Sequence, residues 1–524
     1  MVVPLEEMLS RQRNIGYPPR DGVHPPTGGE FRVSRKTDET HPPVAVTVPS
    51  VGRYGKRTVL TTVMTTASGR RMARIQGSAL PRSFRKGNSM SYDASDDYFL
   101  GYPKLPELPD LPGRPDGEVL GTTGVVVTGL GMTTPLGGDV HSTWKALLAG
   151  ESPITVLDQP WARDLPVRLA GRLSQEPTEV LDRVEARRMD RCQQIAMVAA
   201  RQAWADADAP EVAPERLAVV IGTGLGGGGT LIDQHDLSLA KGPGRVSPFA
   251  VTMLMPNGPA AAVSLALDAR AGAHAPTSAC ASGAEAIAMG LAILRAGRAD
   301  VVVAGGAEAC IARLSMAAFA RMGALSGRHE DPQNASRPFD SARDGFVMSE
   351  GGGAVVLERT EFAKARGARM YATLAGTGMS SDAHTMTSPS ADGQISAIRE
   401  ALLSGGLGPQ DIVHVNAHAP GTPVGDRIEA AALLESLGPH ALVTATKSIT
   451  GHLIGGAGAI EAIFTVLSVF TDVIPATRNL DDKDPEVKVE IVTGTHRRSR
   501  VTAAISNSFG FGGHNVVLAF TKPA

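Results

Sequence analysis

Cysteine and histidine are the side chains best suited to attacking or polarising a carbonyl group near neutral pH, and this chain of 524 residues has only three cysteines and 13 histidines. One cysteine is set apart by its neighbours. Cys280 lies in Ala275-Pro276-Thr277-Ser278-Ala279-Cys280-Ala281-Ser282-Gly283-Ala284-Glu285, a run of small residues that follows a short extended segment. The stretch after it, Ala284 to Leu294, is rich in Ala, Met, Ile and Leu and is closed by Gly297, the pattern of a buried helix with a glycine stop. Cys280 is thus expected at or just before a helix N-terminus, where unpaired N–H groups and the positive end of the macrodipole favour thiolate over thiol. A solitary cysteine is more often a core thiol than a nucleophile, so its partners must decide.

Three candidates carry the right chemistry. His418 follows an apolar strand in Asn416-Ala417-His418-Ala419-Pro420-Gly421-Thr422-Pro423, while Lys447 and His452 share Thr446-Lys447-Ser448-Ile449-Thr450-Gly451-His452. Each sits at a strand end among Gly, Pro or Ala. A histidine in such a loop is ordinarily a satisfied hydrogen-bonder, but two with a lysine at matching strand ends point to a site. Gly510-Phe511-Gly512-Gly513 adds backbone donors that could complete an oxyanion hole with the N–H of Cys280.

The elements that must bring these together repeat. Val125 to Gly131, Leu217 to Ile221, the Cys280 elbow with its helix, Val301 to Gly306 and Gly353 to Glu358 form a first series of strands and helices. Tyr371 to Gly378 answers the strand at Val125, Ile412 to Asn416 that at Leu217, Leu442 to Thr446 with the helix Gly455 to Val469 the Cys280 elbow, and Val501 to Ile505, returning as Asn515 to Phe520, the strand at Val301. Such alternation predicts parallel or mixed sheets covered by helices, with corresponding loops facing one another near a pseudo-twofold axis. Gly222-Thr223-Gly224-Leu225-Gly226-Gly227 satisfies G-x-G-x-x-G, yet no clean βαβ unit or acidic residue at a second strand end follows. Those glycines are read as a backbone turn, not a nucleotide site.

With these segments in view, the chain from about residue 122 to its end resembles the elongating β-ketoacyl-acyl-carrier-protein synthases. The resemblance rests on Ser278-Ala279-Cys280-Ala281-Ser282-Gly283, the segment from Asn416, Gly451-His452 with Gly455, and Asn507-Ser508-Phe509-Gly510-Phe511-Gly512-Gly513-His514-Asn515. Met255-Pro256-Asn257-Gly258, Ser336 to Asp340 and Ala363 to Ala368 are similar to the mycobacterial enzymes that elongate mycolic-acid precursors. The resemblance implies an α/β thiolase-like fold of duplicated βαβαβ layers, an α-β-α-β-α sandwich. Its halves would be residues 122–360, with the nucleophile, and 361–524, with the His/Lys/His loops. It further implies a decarboxylative condensation: Cys280 takes an acyl chain from a carrier protein, and His418 and His452 hold the malonyl thioester as it becomes an enolate. Lys447 would orient the site and pair with Glu461, Phe511 and Gly512 would serve as gate and oxyanion loop, Asp426 would be a structural acid, and Thr422 would touch the phosphopantetheine arm. No cofactor is implied, since the carrier brings the phosphopantetheine, and a homodimer is the expected assembly. The family commonly has His-Gly-Thr-x-Thr-Pro, so Ala419-Pro420 departs from it, Pro420 lacking a hydroxyl and an N–H.

Bulk properties set the remaining bounds. Hydrophobic content of 42% with 20% charged residues fits a globular protein with a sizeable core, and a net charge of -2 disfavours general nucleic-acid binding. Cys192, Cys280 and Cys310 form neither a disulfide framework nor a metal-ligand spacing, which points to a reducing, cytoplasmic setting and to no metal. No apolar run reads as long enough to span a bilayer. Residues 1–121 mix Pro, Gly, Ser and charge without sustained periodicity, and are read as a low-order extension, basic from Arg53 to Lys86 and acidic after it. Rival functions are a thiolase, with Cys310 as second cysteine, a non-catalytic chain-length-factor partner, and a polyketide-type ketosynthase.

Overall fold

The computed structural model describes residues 124–523 and, as backbone, three segments nearer the N-terminus, Ser50–Tyr54, Arg57–Thr65 and Arg71–Gln76. The apolar runs of the main unit become strands of one mixed sheet. In chain order these are β1 (Val125–Thr133), β2 (Leu217–Gly222), β3 (Ala273–His274), β4 (Val301–Glu308), β5 (Gly351–Arg359), β6 (Ala372–Ser381), β7 (His414–Asn416), β8 (Leu442–Thr444), β9 (Glu490–Ile491), β10 (Ala503–Gly510) and β11 (His514–Thr521). Their spatial order is β9-β8-β7-β10-β11-β6-β1-β5-β4-β2-β3.

Outward from the β1–β6 seam the order is β1-β5-β4-β2-β3 on one side and β6-β11-β10-β7-β8 on the other. Every strand of the first half has its counterpart. The sense of pairing repeats as well: β2 is parallel to β3 and β4, as β7 is to β8 and β10. β5 is antiparallel to β1 and β4, as β11 is to β6 and β10. The seam itself is short, pairing only Ala372 with Val127 and Thr373 with Val126. The duplication expected from the strand series is therefore present, with β9 added at one edge.

Helices complete the layers. α1 (Arg191–Asp206) packs on the outer face of the first half, and α3 (Ala391–Gly405), with α4 (Gly425–Leu437) beside it, on the outer face of the second. Between the halves lie α2 (Ser282–Arg295) and α5 (Ala457–Thr471), in contact with each other and with strands of both. This is the α-β-α-β-α arrangement. The outer helices approach by the same device in each half. A Cβ on Gly131 of β1 would lie 2.1 Å from the Ala199 carbonyl of α1, and one on Gly378 of β6 would lie 1.9 Å from the Ala397 carbonyl of α3. Only glycine permits backbone to meet backbone there.

Ile454–Thr471 has the length and apolarity of a membrane-spanning helix, with a mean hydropathy of 1.7, although the sequence reading found no such run. Its 89% burial between the half-sheets accounts for the apolarity, since a central-layer helix has no polar face to present. Nearer the N-terminus, the three short segments form their own antiparallel sheet, Arg57–Thr65 in the middle. The low order expected for the rest of residues 1–121 concerns positions outside the described residues.

Gly378→Ala should lower stability by about 1–3 kcal/mol, the usual cost of overpacking a close contact. A denaturant midpoint equal to the wild type would contradict the backbone contact drawn here.

Candidate active site

Each central helix is entered through the same turn. A single 3₁₀ turn, Ala279–Ala281, precedes α2, and another, Ile454–Gly456, precedes α5. Both open on a non-glycine residue in the left-handed region, Ala279 at φ 52° and Ile454 at φ 46°. Such a conformation costs about 1–3 kcal/mol and persists only where neighbours impose it. Around Ala279 the neighbour is Ser282, whose hydroxyl accepts from the Ser278 N–H at 2.9 Å and donates to the Ala279 carbonyl at 2.7 Å. Cys280 is thereby fixed at the start of α2, as the sequence indicated, and Gly455 occupies the matching place before α5.

The second-half loops converge on the cysteine. Cys280 Sγ and ring nitrogens of His418 and His452 all lie within 4.8 Å of one another. The two imidazoles meet edge to face at 5.4 Å between centroids. His418 arrives from the loop after β7, with its N–H donated to Glu429 Oε1 at 2.8 Å and that of Ala419 to Glu429 Oε2 at 2.6 Å. Asn507 donates to the same carboxylate at 3.0 Å, tying the loop to β10. His452 is held through its main chain, its N–H on the Val347 carbonyl at 2.8 Å and its carbonyl taking the Ser349 N–H at 2.9 Å. Both ring nitrogens of His452 and Nδ1 of His418 are buried without a protein partner, free to serve a ligand. Cysteine and histidine are also zinc-type donors, and this trio is the one cluster among the described residues close enough to share an ion.

Electrostatics keep the trio neutral. Burial, with the Lys447 charge close by, holds both imidazoles well below the ordinary histidine range. Burial also pushes the Cys280 thiol up to about 11, opposed by the Lys447 charge and by the Phe511 N–H that faces the sulfur. The thiolate expected at the helix start is therefore not the resting form, because desolvation outweighs the groups that favour it.

Lys447 Nζ contacts Glu461 Oε1 at 2.5 Å, and both side chains are 1% exposed. Burial raises the Glu461 carboxyl to about 7 and the lysine opposes it. Asp426 accepts the N–H groups of Gly421, Thr422 and Phe339 at 3.1, 3.1 and 2.9 Å, which makes it the anchor of the loop after His418. Thr422 is half-buried, and its carbonyl takes Arg343 Nε at 2.9 Å. Phe511 is half-buried, 6.4 Å from the Phe319 ring, and Phe319, Phe346 and His452 continue an aromatic line at 5.6 and 5.2 Å. Gly512 donates its N–H to the Met386 carbonyl at 2.8 Å, so the donor of this loop that faces the sulfur is one residue earlier, at Phe511.

Cys310 is not part of the cluster: it is buried, with its sulfur 3.1 Å from that of Met348. The loop Gly222-Thr223-Gly224-Leu225 is a turn whose N–H groups at Gly224 and Leu225 are already taken by Glu308. Three residues that shape the site were not singled out from sequence: Glu429, Glu308 and Arg343. Glu429 had a signal, since it stands three residues after Asp426 on an Ala-rich helix and so shares its buried face. Arg343 and Glu308 had none, because most of their partners, the Thr422 and Pro423 carbonyls and Asp484 for Arg343, and Thr223, Gly224, Leu225 and Gly455 for Glu308, lie far away in sequence.

Alkylation of Cys280 by iodoacetamide, followed by peptide mass, should climb about tenfold per pH unit from pH 7 toward pH 10, as for a thiol that titrates above that range. A rate already level at pH 7 would mean a resting thiolate.

The family models for the β-ketoacyl synthase N-terminal and C-terminal domains match residues 122–363 and 371–481. A 3-oxoacyl-[acyl-carrier-protein] synthase 2 of Mycobacterium tuberculosis is 47% identical over 404 residues, 76% of this chain and 97% of that one. Among solved structures, a β-ketoacyl synthase from Burkholderia phymatum is 33% identical with a TM-score of 0.73, covering 77% of this chain and all of that one. A ketosynthase solved with its acyl-carrier protein and bound to a hexaketide is 29% identical with a TM-score of 0.71, over 77% of this chain and all of that one. Two domain models laid along the two halves, and relatives matched over nearly their whole length, leave one reading of the cluster's ancestry: the chain belongs to the β-ketoacyl synthase family.

Proposed function

We propose that the protein is a β-ketoacyl-acyl-carrier-protein synthase, joining an acyl chain held on Cys280 to malonyl-carrier protein with loss of CO2. The observation that carries this is the meeting of Cys280, His418 and His452 within 4.8 Å. In the first step the Cys280 sulfur attacks the acyl thioester and gives up its proton as it does so. The C–S bond to Cys280 forms, that to phosphopantetheine breaks, and the carrier thiol takes the proton. The N–H groups of Cys280 and Phe511 stabilise the tetrahedral oxyanion. In the second step the malonyl carboxylate leaves as CO2, its electron pair becoming an enolate whose oxygen is held by His418 and His452. Neutral imidazoles suit this task, because each can donate one hydrogen bond to the oxygen that takes on the carboxylate's negative charge as neutral CO2 departs. The enolate carbon then attacks the acyl-Cys280 carbonyl, a C–C bond replaces the C–S bond, and the released sulfur takes a proton from solvent, the first having left with the carrier thiol.

Lys447 is assigned to orienting the site and its field, with Glu461 as its counter-charge. Thr422 and the loop that Asp426 anchors are assigned to the phosphopantetheine arm, and Pro420 changes how that arm is held. A carrier partner is supported by the solved ketosynthase complex among the structural neighbours. A chain-length-factor role is disfavoured by the intact cysteine and histidines. A homodimer is supported by Leu231, Leu239, Val251 and Leu265, exposed on three successive helices of which the last, Gly258–Leu267, packs on the edge strand β3. A cytoplasmic setting is supported by three buried cysteines, all unpaired.

Incubation with acyl-carrier protein or cerulenin should give a mass adduct on Cys280 that Cys280→Ala abolishes; no adduct on the wild type would refute the function. His452→Ala should still accept the acyl group while condensation falls by about 10²–10³-fold, as for loss of an oxyanion donor. Lys447→Ala should cost about 3–5 kcal/mol of stability by stranding Glu461, read from a denaturation curve. Replacing Leu239 and Leu265 with Glu should convert a dimer to monomer in sedimentation, and an unchanged mass would place the interface elsewhere.

A further inference from the structure

Glu308 is fully buried at the end of β4, yet no step above uses it and its partners carry no charge. Oε2 accepts the N–H of Gly224 at 2.8 Å and of Gly455 at 3.2 Å, while Oε1 accepts the Leu225 N–H at 3.3 Å and the Thr223 hydroxyl at 3.2 Å. Burial of a carboxylate is tolerated only when such donors converge on it. Three of these partners belong to the first half and Gly455 to the second.

The duplication gives the arrangement a meaning. β10 ends at Gly510, against the first elbow: a Cβ there would lie 2.5 Å from the Ser278 carbonyl and 3.2 Å from the Cys280 nitrogen. β4 ends at Glu308, against the second elbow. Gly455 stands where Cys280 stands in the other half, and Gly224, two residues past the end of β2, stands where His418 follows β7. The second elbow thus has a mirror image of the active site in which the nucleophile and histidine are glycines and a carboxylate fills the space.

Resting on the condensation mechanism above, we propose that Glu308 is a positioning residue for that step, acting through the second elbow on His452. Gly455 is three residues from His452, and the intervening Ile454 is held in a left-handed conformation that needs support on both sides. On one side the His452 main chain is bonded to Val347 and Ser349. On the other the Glu308 carboxylate fixes Gly455. Cys280 depends on the first elbow, whose turn Ser282 holds with two hydrogen bonds of its own; the Glu308 charge reaches the thiol only through space and raises it, so its removal does not slow loading. Loss of the carboxylate therefore separates the two half-reactions.

The test is Glu308→Gln in the full-length enzyme, with acyl loading of Cys280 and condensation with malonyl-carrier protein measured separately. A glutamine sets two N–H groups against N–H donors. Condensation kcat should fall about tenfold while loading and the KM for malonyl-carrier protein stay within about twofold. If that variant does not fold, Thr223→Val, which keeps the carboxylate but removes the hydroxyl shared by Glu308, the Gly226 N–H and Cys192 Sγ, should lower condensation kcat about threefold with loading unchanged. Equal kcat in wild type and variant, or equal loss in both half-reactions, overturns the proposal while leaving the function intact. A wild type that loads but does not condense overturns both.

Discussion

The contact on which the site depends is the close approach of the two central helices at their first turns. A Cβ on Gly283 would lie 2.9 Å from the Ala459 nitrogen and the Gly455 carbonyl, and one on Gly458 would lie 2.8 Å from the Ala284 nitrogen. Main chain meets main chain across the pseudo-twofold axis, which side chains of any size would prevent. Because each helix begins at an elbow, this contact sets the elbows side by side. Cys280 comes from one half and His418 and His452 from loops of the other, so neither half assembles the cluster alone.

Around that contact, polarity is organised by main-chain donors more than by ion pairs. Glu429, Asp426 and Glu308 each take two or three backbone N–H groups from a loop that would otherwise be free to move. The Lys447–Glu461 pair is different. It places a positive charge in the protein interior next to neutral imidazoles, where low polarisability makes the charge felt strongly.

Much of this was legible in the residues. The strand series and the small-residue runs before two helices led to the duplicated layers, because burial on both faces leaves apolar strands and glycine-bearing helices as its trace. Cys280, His418, Lys447 and His452 stood out because condensation chemistry would need such side chains at strand ends, and the fold brings Cys280, His418 and His452 within 4.8 Å. What stayed hidden was set by desolvation or by distant main chain. The position of the Cys280 proton depends on burial that no local pattern reports. Glu308 reads as the polar end of a strand until Gly455, 147 residues away, is seen above it. Ile454–Thr471 shows the converse, an apolar run whose length suggests lipid but whose surroundings are protein.

The protonated state of Cys280 bears on the enzyme between turnovers. Peroxides react with thiolates, and a cysteine that is 8% exposed and rests as a thiol is a poor target for them. The same desolvation that makes the sulfur a reluctant nucleophile at rest confines its reactivity to the moment when a thioester lies against it. Chemical durability and substrate discrimination then have a common origin in the desolvation of one sulfur atom.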